Sequence, residues 1–310
     1  MPNSHKTIVF KLMVILNYFI YYLIIIPISL LPFRVLYFLS DVLFFVLYYL
    51  LGYRKRVVFE NLHNSFPEKS EKEINQIALL FYKHLCDIMV ETIKSFTISD
   101  KSISKRMILL NPELPNKYFD ENKSIILAGG HYNNWEWIAT SINKQIKHQA
   151  IALYLPLTNL FFDNKMRTTR GKFGLVMAST RKVKAVFEEY RNQLTATIFA
   201  MDQSPGHPGK SYWLKFLNQD TPTLFGAEKY AKDYNYPVLY GTIHKVKRGH
   251  YIFNFTTITD HPRNTTHGYI IETISKLIEE EIIKEPQYWL WTHRRWKHKK
   301  ETPEKQINIH

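Results

Sequence analysis

The chain has little or none of several residues and motifs on which common enzyme chemistries depend. Its 310 residues include one cysteine, Cys86, which excludes an internal disulfide framework and a cysteine-rich zinc site. It contains no G-x-x-x-x-G-K-S/T loop and no G-x-G-x-x-G turn, so a bound nucleotide cofactor is unsupported. It contains neither the H-E-x-x-H metal motif nor the G-x-S-x-G nucleophile motif. These absences leave a covalent mechanism unsupported, and we expect no cofactor and no metal ion.

Acidic residues are also few. The chain has 27 Asp and Glu against 41 Lys and Arg, a formal net charge of +14 at pH 7, and 15% of its residues are aromatic. Such a basic chain suggests a polyanionic partner: a nucleic acid, an anionic membrane surface or an acidic carrier protein. The basic residues are spread along the whole chain, without zinc-finger spacing or an aromatic RNA-binding block. A membrane-anchored nucleic-acid-binding protein is therefore the least supported reading.

The N-terminal region is apolar enough to contact a membrane. Residues 12–33, "LMVILNYFIYYLIIIPISLLPF", carry no charge, and a bilayer crossing needs roughly 20 apolar residues. Pro27 and Pro32 favour a kink or an end, so a re-entrant or interfacial segment stays open. The second apolar run, 35–51, carries only Asp41. A cleaved signal peptide is disfavoured because the run exceeds the usual ~7–15 residues and no small-x-small cleavage site follows.

Three basic residues, Arg54, Lys55 and Arg56, follow this region and by the positive-inside rule keep the next domain cytoplasmic. We therefore expect a membrane anchor and interfacial segment over residues 1–52. A cytoplasmic domain is expected over 53–302, and a polar tail over 303–310.

The rest of the chain alternates apolar runs with amphipathic stretches. Residues 70–96 have helical spacing, with Ser70 and Glu73 as a capping box at the start. Strand-like and helix-like segments then follow one another, from "SIILAGG" and "NWEWIATSINK" to the long "GYIIETISKLIEEEIIK" helix. This order predicts an α/β domain in which a central mixed sheet is flanked by helices.

One junction between a strand and a helix carries candidate catalytic residues. In "SIILAGGHYNNWEWIAT", Gly129 and Gly130 let the chain turn after the strand, and His131 follows at once. Ligands of open α/β sheets bind at the carboxyl ends of strands. Neutral imidazole can take a proton from a hydroxyl, and a carboxylate can orient it, so Glu136 is the candidate partner. Alone, the H-x-x-x-x-E spacing is more typical of a histidine that caps a helix and a glutamate on a solvated face.

Several blocks in order make the chain resemble the bacterial lipid A biosynthesis acyltransferases of the lauroyl/myristoyl type. That family belongs to the glycerolipid acyltransferase-like superfamily, marked by H-x4-D/E. The likeness runs from about residue 10 to residue 300. It rests on "RKRVVFENLHNSFPEKSEKE", "GGHYNNWEW", "YLPLTNLFFDNKMRTTRGKFG", "MDQSP", "FLNQDTPTLFGAEKYAKDYNYPVLYG" and "EPQYWLWTHRRWK".

The resemblance implies roles for particular residues. His131 would be the general base and Glu136 its orienting carboxylate, and Arg170 would polarise a thioester carbonyl or grip a phosphate. The remaining matches would contact substrate: Asp202, Gln203, Arg294, Arg295 and Lys297. The chain departs from the family in having Tyr154-Leu155-Pro156 where Tyr-Arg-Pro is common, and Tyr132 where a small residue is common. Both departures bear on the acceptor rather than on the reaction.

The resemblance also implies the reaction and its partners. The donor would be a fatty acyl thioester of acyl carrier protein, and the acceptor a hydroxyl of an anionic lipid A precursor. The site would lie on the cytoplasmic face of the bacterial inner membrane and need no cofactor. A lysophospholipid or an aminoacyl lipid remains an alternative acceptor.

Overall fold

The computed structural model describes residues 12–300. The predicted polar tail, 303–310, lies outside the described residues, as do the first eleven residues of the predicted anchor.

Within residues 12–300, nine strands form two sheets. They are β1 (Met107–Leu109), β2 (Ile125–Gly129), β3 (Gln149–Tyr154), β4 (Val176–Ser179), β5 (Thr195–Ala200), β6 (Tyr212–Phe216), β7 (Gln219–Thr223), β8 (Val238–Lys247) and β9 (His250–Thr259). The central sheet has seven strands in the order β1-β9-β8-β2-β5-β3-β4, and β6 and β7 form a separate antiparallel hairpin. Only the β8–β9 pair is antiparallel within the central sheet. The predicted mixed sheet is confirmed.

Alternate residues of β2 face opposite sides of the sheet, and both sides are covered. Ile125 and Leu127 belong to one hydrophobic cluster, and Ile126 and Ala128 belong to the other. Side chains of a strand alternate between faces, so a strand buried on both sides is apolar at every position. This explains the unbroken apolar run before Gly129.

Eleven helices surround or precede the sheets in the described residues. They are α1 (Leu12–Leu30), α2 (Phe33–Leu50), α3 (Lys55–Ser65), α4 (Glu71–Ser95), α5 (Asp100–Ser104), α6 (Glu113–Asp120), α7 (Trp135–Ser141), α8 (Leu160–Gly171), α9 (Val183–Glu189), α10 (Gly226–Tyr234) and α11 (Tyr269–Lys284). The predicted long helix is α4, and its capping box between Ser70 and Glu73 is present.

Both N-terminal helices are long and apolar enough to cross a membrane, which suggests membrane association. Pro27 does not end α1, because a wide π-helical stretch, Ile20–Ile25, precedes it; the break comes at Pro32. One side of α2 contacts the part of the chain that contains the sheets. Ser40 donates to Asp87 of α4 at 2.8 Å, and Asp41 pairs with Arg248 at 2.6 Å. The helix α2 is thus joined to the domain by polar contacts as well as by packing.

Candidate active site

The candidate histidine lies where two parallel strands end side by side. β2 and β5 pair with Gly129 opposite Ala200, and the Met201 amide donates to the Gly129 carbonyl at 2.9 Å. His131 and Asp202 each come two residues after these strand ends. Because parallel strands end at one edge of the sheet, the two side chains meet although 71 positions separate them.

Gly130 makes room for this contact. A Cβ atom at this position would stand 3.2 Å from Oδ2 of Asp202, so a larger residue would press on a buried carboxylate. The same oxygen accepts hydrogen bonds from the His131 amide at 2.7 Å and the Trp289 indole at 2.8 Å. The Asp202 carboxylate is therefore fixed before any substrate arrives.

The His131–Asp202 pair is mostly buried, and only the histidine side chain is partly exposed. Nδ1 of His131 lies 2.7 Å from Oδ1 of Asp202, and the side chains are 19% and 2% exposed. Burial by itself would raise the pKa of Asp202, but His131 and Trp289 offset it and lower that pKa to about 2. Burial would also lower the pKa of His131, yet the Asp202 carboxylate outweighs it and raises that pKa above 6.5. With the Nδ1 proton donated to Asp202, Nε2 is the nitrogen that can accept a proton from a substrate.

Gln203 contacts the second ring nitrogen of the imidazole, Nε2. Its side-chain nitrogen lies 3.2 Å from Nε2 of His131, so its N–H donates to the basic lone pair when the ring is neutral. A substrate hydroxyl needs the same lone pair and has to displace this amide. The Trp135 ring borders the imidazole, with ring centroids 5.4 Å apart.

Glu136 binds Arg170 rather than His131. The guanidinium donates through Nε to Oε2 at 2.9 Å and through Nη2 to Oε1 at 2.6 Å, a bidentate pair whose side chains are 21% and 11% exposed. The Trp135 indole donates to the same carboxylate at 3.2 Å. This corrects the expectation that Glu136 orients the histidine: Asp202 holds Nδ1, and Glu136 holds an arginine beside the imidazole. The physical reason is strand pairing. The alignment of β2 with β5 brings Asp202 to the imidazole ring, whereas Glu136 lies on α7 and is engaged by Arg170.

The three basic residues expected to bind substrate point in different directions. Arg294 and Lys297 line a groove of about 940 Å³ with Arg54 and Arg56 of the N-terminal part. Arg295 instead is 2% exposed, and its guanidinium donates to the carbonyl of Pro222 at 2.7 Å and to the neighbouring threonine hydroxyl at 3.1 Å. Burial lowers the pKa of Arg295 to about 10. The role expected for Arg295 is corrected: it braces the β6–β7 hairpin and is closed to a headgroup.

Two residues of the block "EPQYWLWTHRRWK", Trp289 and His293, support the site, although the sequence predicted no role for either of them. Trp289 donates to Asp202, and His293 accepts a hydrogen bond from the Ser204 amide at 2.9 Å. Burial lowers the pKa of His293 to about 4, so it is neutral and can accept. The signal available in the sequence was the block itself, in which Tyr288, Trp289, Trp291 and Trp296 lie close to basic residues.

The site holds no arrangement suited to a resident metal. Among residues 12–300, no three His, Cys, Asp or Glu side chains come together as a group that could hold an ion. The carboxylates of Asp202 and Glu136 are both engaged with cationic or donor groups of the protein.

Comparisons with known proteins identify the family. A family model described as "Bacterial lipid A biosynthesis acyltransferase" matches residues 4–298. The chain is 22% identical over 271 residues to the lipid A biosynthesis palmitoleoyltransferase of Escherichia coli K12, covering 86% of each chain. It is 23% identical over 248 residues to a lipid A biosynthesis acyltransferase of Haemophilus influenzae, covering 79% of this chain and 78% of that one. The protein is therefore an enzyme of the bacterial lipid A biosynthesis acyltransferase family.

Proposed function

We propose that this enzyme transfers a fatty acyl chain from an acyl carrier protein thioester to a hydroxyl of a lipid A precursor, at the cytoplasmic face of the inner membrane. The observation that carries the proposal is the imidazole of His131, held through Nδ1 by Asp202, which leaves Nε2 as the nitrogen that can accept a proton. The reaction class follows from the family, and these contacts support the residue roles proposed below.

His131 acts as the general base. Its Nε2 takes the proton of the acceptor hydroxyl as the hydroxyl oxygen attacks the thioester carbonyl carbon. When the tetrahedral intermediate collapses, the carbon–sulfur bond breaks and the imidazolium returns the proton to the leaving thiolate. Asp202 stabilises the imidazolium in between, which matches the raised pKa of His131.

Arg170 stabilises the negative charge that develops on the carbonyl oxygen. Its bonds to Glu136 use Nε and Nη2, which leaves Nη1 to face another acceptor. A bidentate pair keeps the planar guanidinium in one orientation, as a preorganised donor requires. Glu136 is thus a positioning residue for Arg170. Removal of one such oxyanion donor typically costs about 2.7–4 kcal/mol.

The basic groove suits an acidic carrier protein or the phosphates of the acceptor. Seven Lys and Arg residues line it against two acids, Glu60 and Asp220. The basic residues are Arg54, Arg56, Lys215, Arg294, Lys297, Lys299 and Lys300. Such an excess steers an acidic protein by long-range attraction and weakens with added salt. Docking of the carrier here is part of the proposal.

The test is an assay of the purified full chain in vesicles with acyl carrier protein thioesters of several lengths. Three acceptors are compared: a lipid A precursor, a lysophospholipid and an aminoacyl lipid. We expect transfer to the lipid A precursor, and loss of that transfer in His131→Ala while the protein stays folded. Transfer only to another acceptor overturns the assigned acceptor, and wild-type transfer by His131→Ala overturns the mechanism.

A further inference from the structure

An ordered loop with three uncovered leucines lies beside the first apolar helix. This segment, Leu155–Leu160, comprises the connection between β3 and α8 and the first residue of α8. Leu155, Leu157 and Leu160 are 66%, 47% and 78% exposed. Large apolar side chains this exposed, and this close together, mark a surface that another phase or molecule covers.

The loop is fixed by polar contacts of its own. Asp163 accepts hydrogen bonds from the Leu157 amide at 2.8 Å and from the Tyr154 hydroxyl at 3.0 Å. The side chain of Asn159 caps α8 by accepting from the amides of Phe161 and Phe162 at 3.1 and 3.3 Å. The backbone is thus satisfied locally while the leucine side chains point away from the domain.

The same loop is joined to α1. Asn159 donates to the side-chain oxygen of Asn17 at 3.1 Å, and the ring of Phe161 lies 4.9 Å from that of Tyr18. Lys165 donates to the Tyr22 hydroxyl at 3.1 Å. Residues 17–22 of the apolar helix therefore sit directly against the loop and the first turns of α8.

The helix α1, which the loop contacts, has an exposed apolar face of its own. Leu12, Ile15, Leu16, Phe19 and Leu23 of α1 are each at least half exposed. The helix they belong to has the length and composition of a membrane span. A loop in direct contact with such a helix lies in the same surroundings as that part of the helix. Tyr18 and Tyr22, with Lys165 over the Tyr22 ring at 5.1 Å, give the aromatic and basic border typical of a membrane–water interface.

We propose that Leu155–Leu160 is a second membrane contact, separate from the N-terminal helices, which inserts its leucines into the acyl region of the bilayer. The loop follows β3, and β3 runs parallel to β5, which runs parallel to β2. The loop, His131 and Asp202 therefore leave the sheet at one edge. If the proposed function holds, this places the mouth of the site against the membrane, where a lipid acceptor is found; the contact itself does not depend on that function.

The test places one label on the full chain in vesicles. In a Cys86→Ala background, Leu157→Cys or Leu160→Cys carries an environment-sensitive nitrobenzoxadiazole dye. Cys86 is the only cysteine and is fully buried, and its replacement leaves one labelling site. Ile283→Cys is the matched control, since Ile283 is 57% exposed but lies among Glu68, Lys69, Asn218 and Glu279. Thermal unfolding of each variant shows that the fold is kept.

The vesicles contain phosphatidylethanolamine and phosphatidylglycerol, with or without lipids that carry a doxyl quencher on the acyl chain. We expect the label at 157 or 160 to shift to the blue in vesicles and to be quenched by the doxyl lipid, while the label at 283 does neither. A label at 160 that behaves like the one at 283 overturns the proposal. A shifted label that no doxyl lipid quenches also overturns it, because a protein then covers the loop. Neither result bears on acyl transfer, which is assayed separately.

Discussion

Two largely buried polar clusters contain similar side chains and differ in the partners of their central carboxylate. The edge cluster consists of His131, Asp202, Gln203 and Trp289. The helix cluster consists of Tyr37, Asp87, Glu91, Asn134, Lys245, Arg248 and Tyr251. In the helix cluster, Glu91 accepts from Tyr37 at 2.8 Å, from Asn134 at 2.6 Å and from Tyr251 at 2.8 Å. Both of its oxygens are thus saturated by neutral donors inside the protein.

The edge cluster is built differently at one atom. Asp202 is as saturated as Glu91, but one of its partners is a histidine, whose Nε2 is contacted by the side-chain amide of Gln203. Burial raises the pKa of Glu91 to about 7, against the effect of its hydrogen bonds. Burial acts in the same direction on Asp202, but His131 and Trp289 outweigh it and lower that pKa to about 2. Burial alone therefore does not mark a carboxylate as functional; the two clusters differ in the histidine that Asp202 holds.

Asn134 joins the two clusters. It donates to Glu91, and its side-chain oxygen accepts from the Trp137 amide at 2.9 Å as the N-cap of α7. The loop that carries His131 is consequently held from behind by the helix cluster. The comparison predicts that the edge cluster controls the rate and the helix cluster controls stability.

The largest effect should come from His131→Ala. A general base contributes roughly 10²–10⁴-fold, so kcat should fall by about that factor, or about 2.7–5.4 kcal/mol of transition-state stabilisation. The fold should be kept, although some stability is lost because the buried Asp202 carboxylate loses its Nδ1 partner. The control is His148→Ala, which removes a buried histidine that bonds only the Lys123 carbonyl at 2.9 Å. That variant should lose stability and keep kcat; the reverse pattern would contradict the comparison.

Glu91→Ala tests the other side of the comparison. It leaves Tyr37, Asn134 and Tyr251 without their acceptor, and each buried unpaired donor costs about 1–3 kcal/mol. We expect the free energy of unfolding, measured by chemical denaturation in detergent, to fall by about 3 kcal/mol or more. Glu71→Ala on the same helix is the control, since its side chain is 77% exposed and pairs only with His63. If both variants are equally stable, the helix cluster is not structural.

Asp202→Asn should lower kcat by about 10²-fold, at the low end of the range for base catalysis. An asparagine can still accept from the His131 amide and Trp289, but its NH2 group then faces Nδ1. That donor forces the ring proton onto Nε2, the wrong nitrogen for a base.

The pH dependence of kcat/KM in Asp202→Asn tests which carboxylate hydrogen-bonds to His131. A base must be neutral, and the raised pKa of His131 puts the rise of kcat/KM with pH above 6.5 in the wild type. Without the Asp202 charge, burial favours the neutral ring, so the rise should move to lower pH. Glu136→Gln should move it less, because Glu136 acts on the ring only at longer range. A larger shift from Glu136→Gln would reinstate Glu136 as the orienting group.

The contribution of the His131–Asp202 pair to the free energy of unfolding depends on pH. The contribution of Asp202 is lost as the pH falls, and that of His131 is lost as the pH rises. The lowered pKa of Asp202 means that its contribution to folding is present above pH ~3.9 and is lost as the pH falls towards 2. The raised pKa of His131 means that the added stability of its charged form is present below pH 6.5 and is lost as the pH rises through the folded value.

Local patterns in the sequence were enough to predict the elements around the site. The Ser70 cap and the β2 strand each depend on neighbouring residues, and both are confirmed. The partner of His131 was not predictable in the same way, because the register of β2 with β5 sets it and no local pattern encodes that register. The burial of Arg295 was equally hidden, since its neighbours Arg294 and Lys297 in the same basic run are exposed. The sequence therefore predicts which residues lie near this edge of the sheet better than it predicts which of them contact one another.

The smallest expected effect belongs to the Glu136–Arg170 pair, and it sharpens the comparison within the edge itself. Arg170→Lys keeps the charge but cannot make both bonds to Glu136, so we expect kcat/KM to fall by about tenfold, or about 1.4 kcal/mol. Arg167→Lys, an exposed position on the same helix, should have no effect.

The pair should act as a unit. Glu136→Gln removes the support for the guanidinium and should cost a similar factor, and the double variant should be little worse than either single one. Such non-additivity, measured as a double-mutant cycle on kcat/KM, means that Glu136 works through Arg170. If the two losses multiply, each residue contacts the reacting atoms independently, and Glu136 then has a role of its own beside the His131–Asp202 pair.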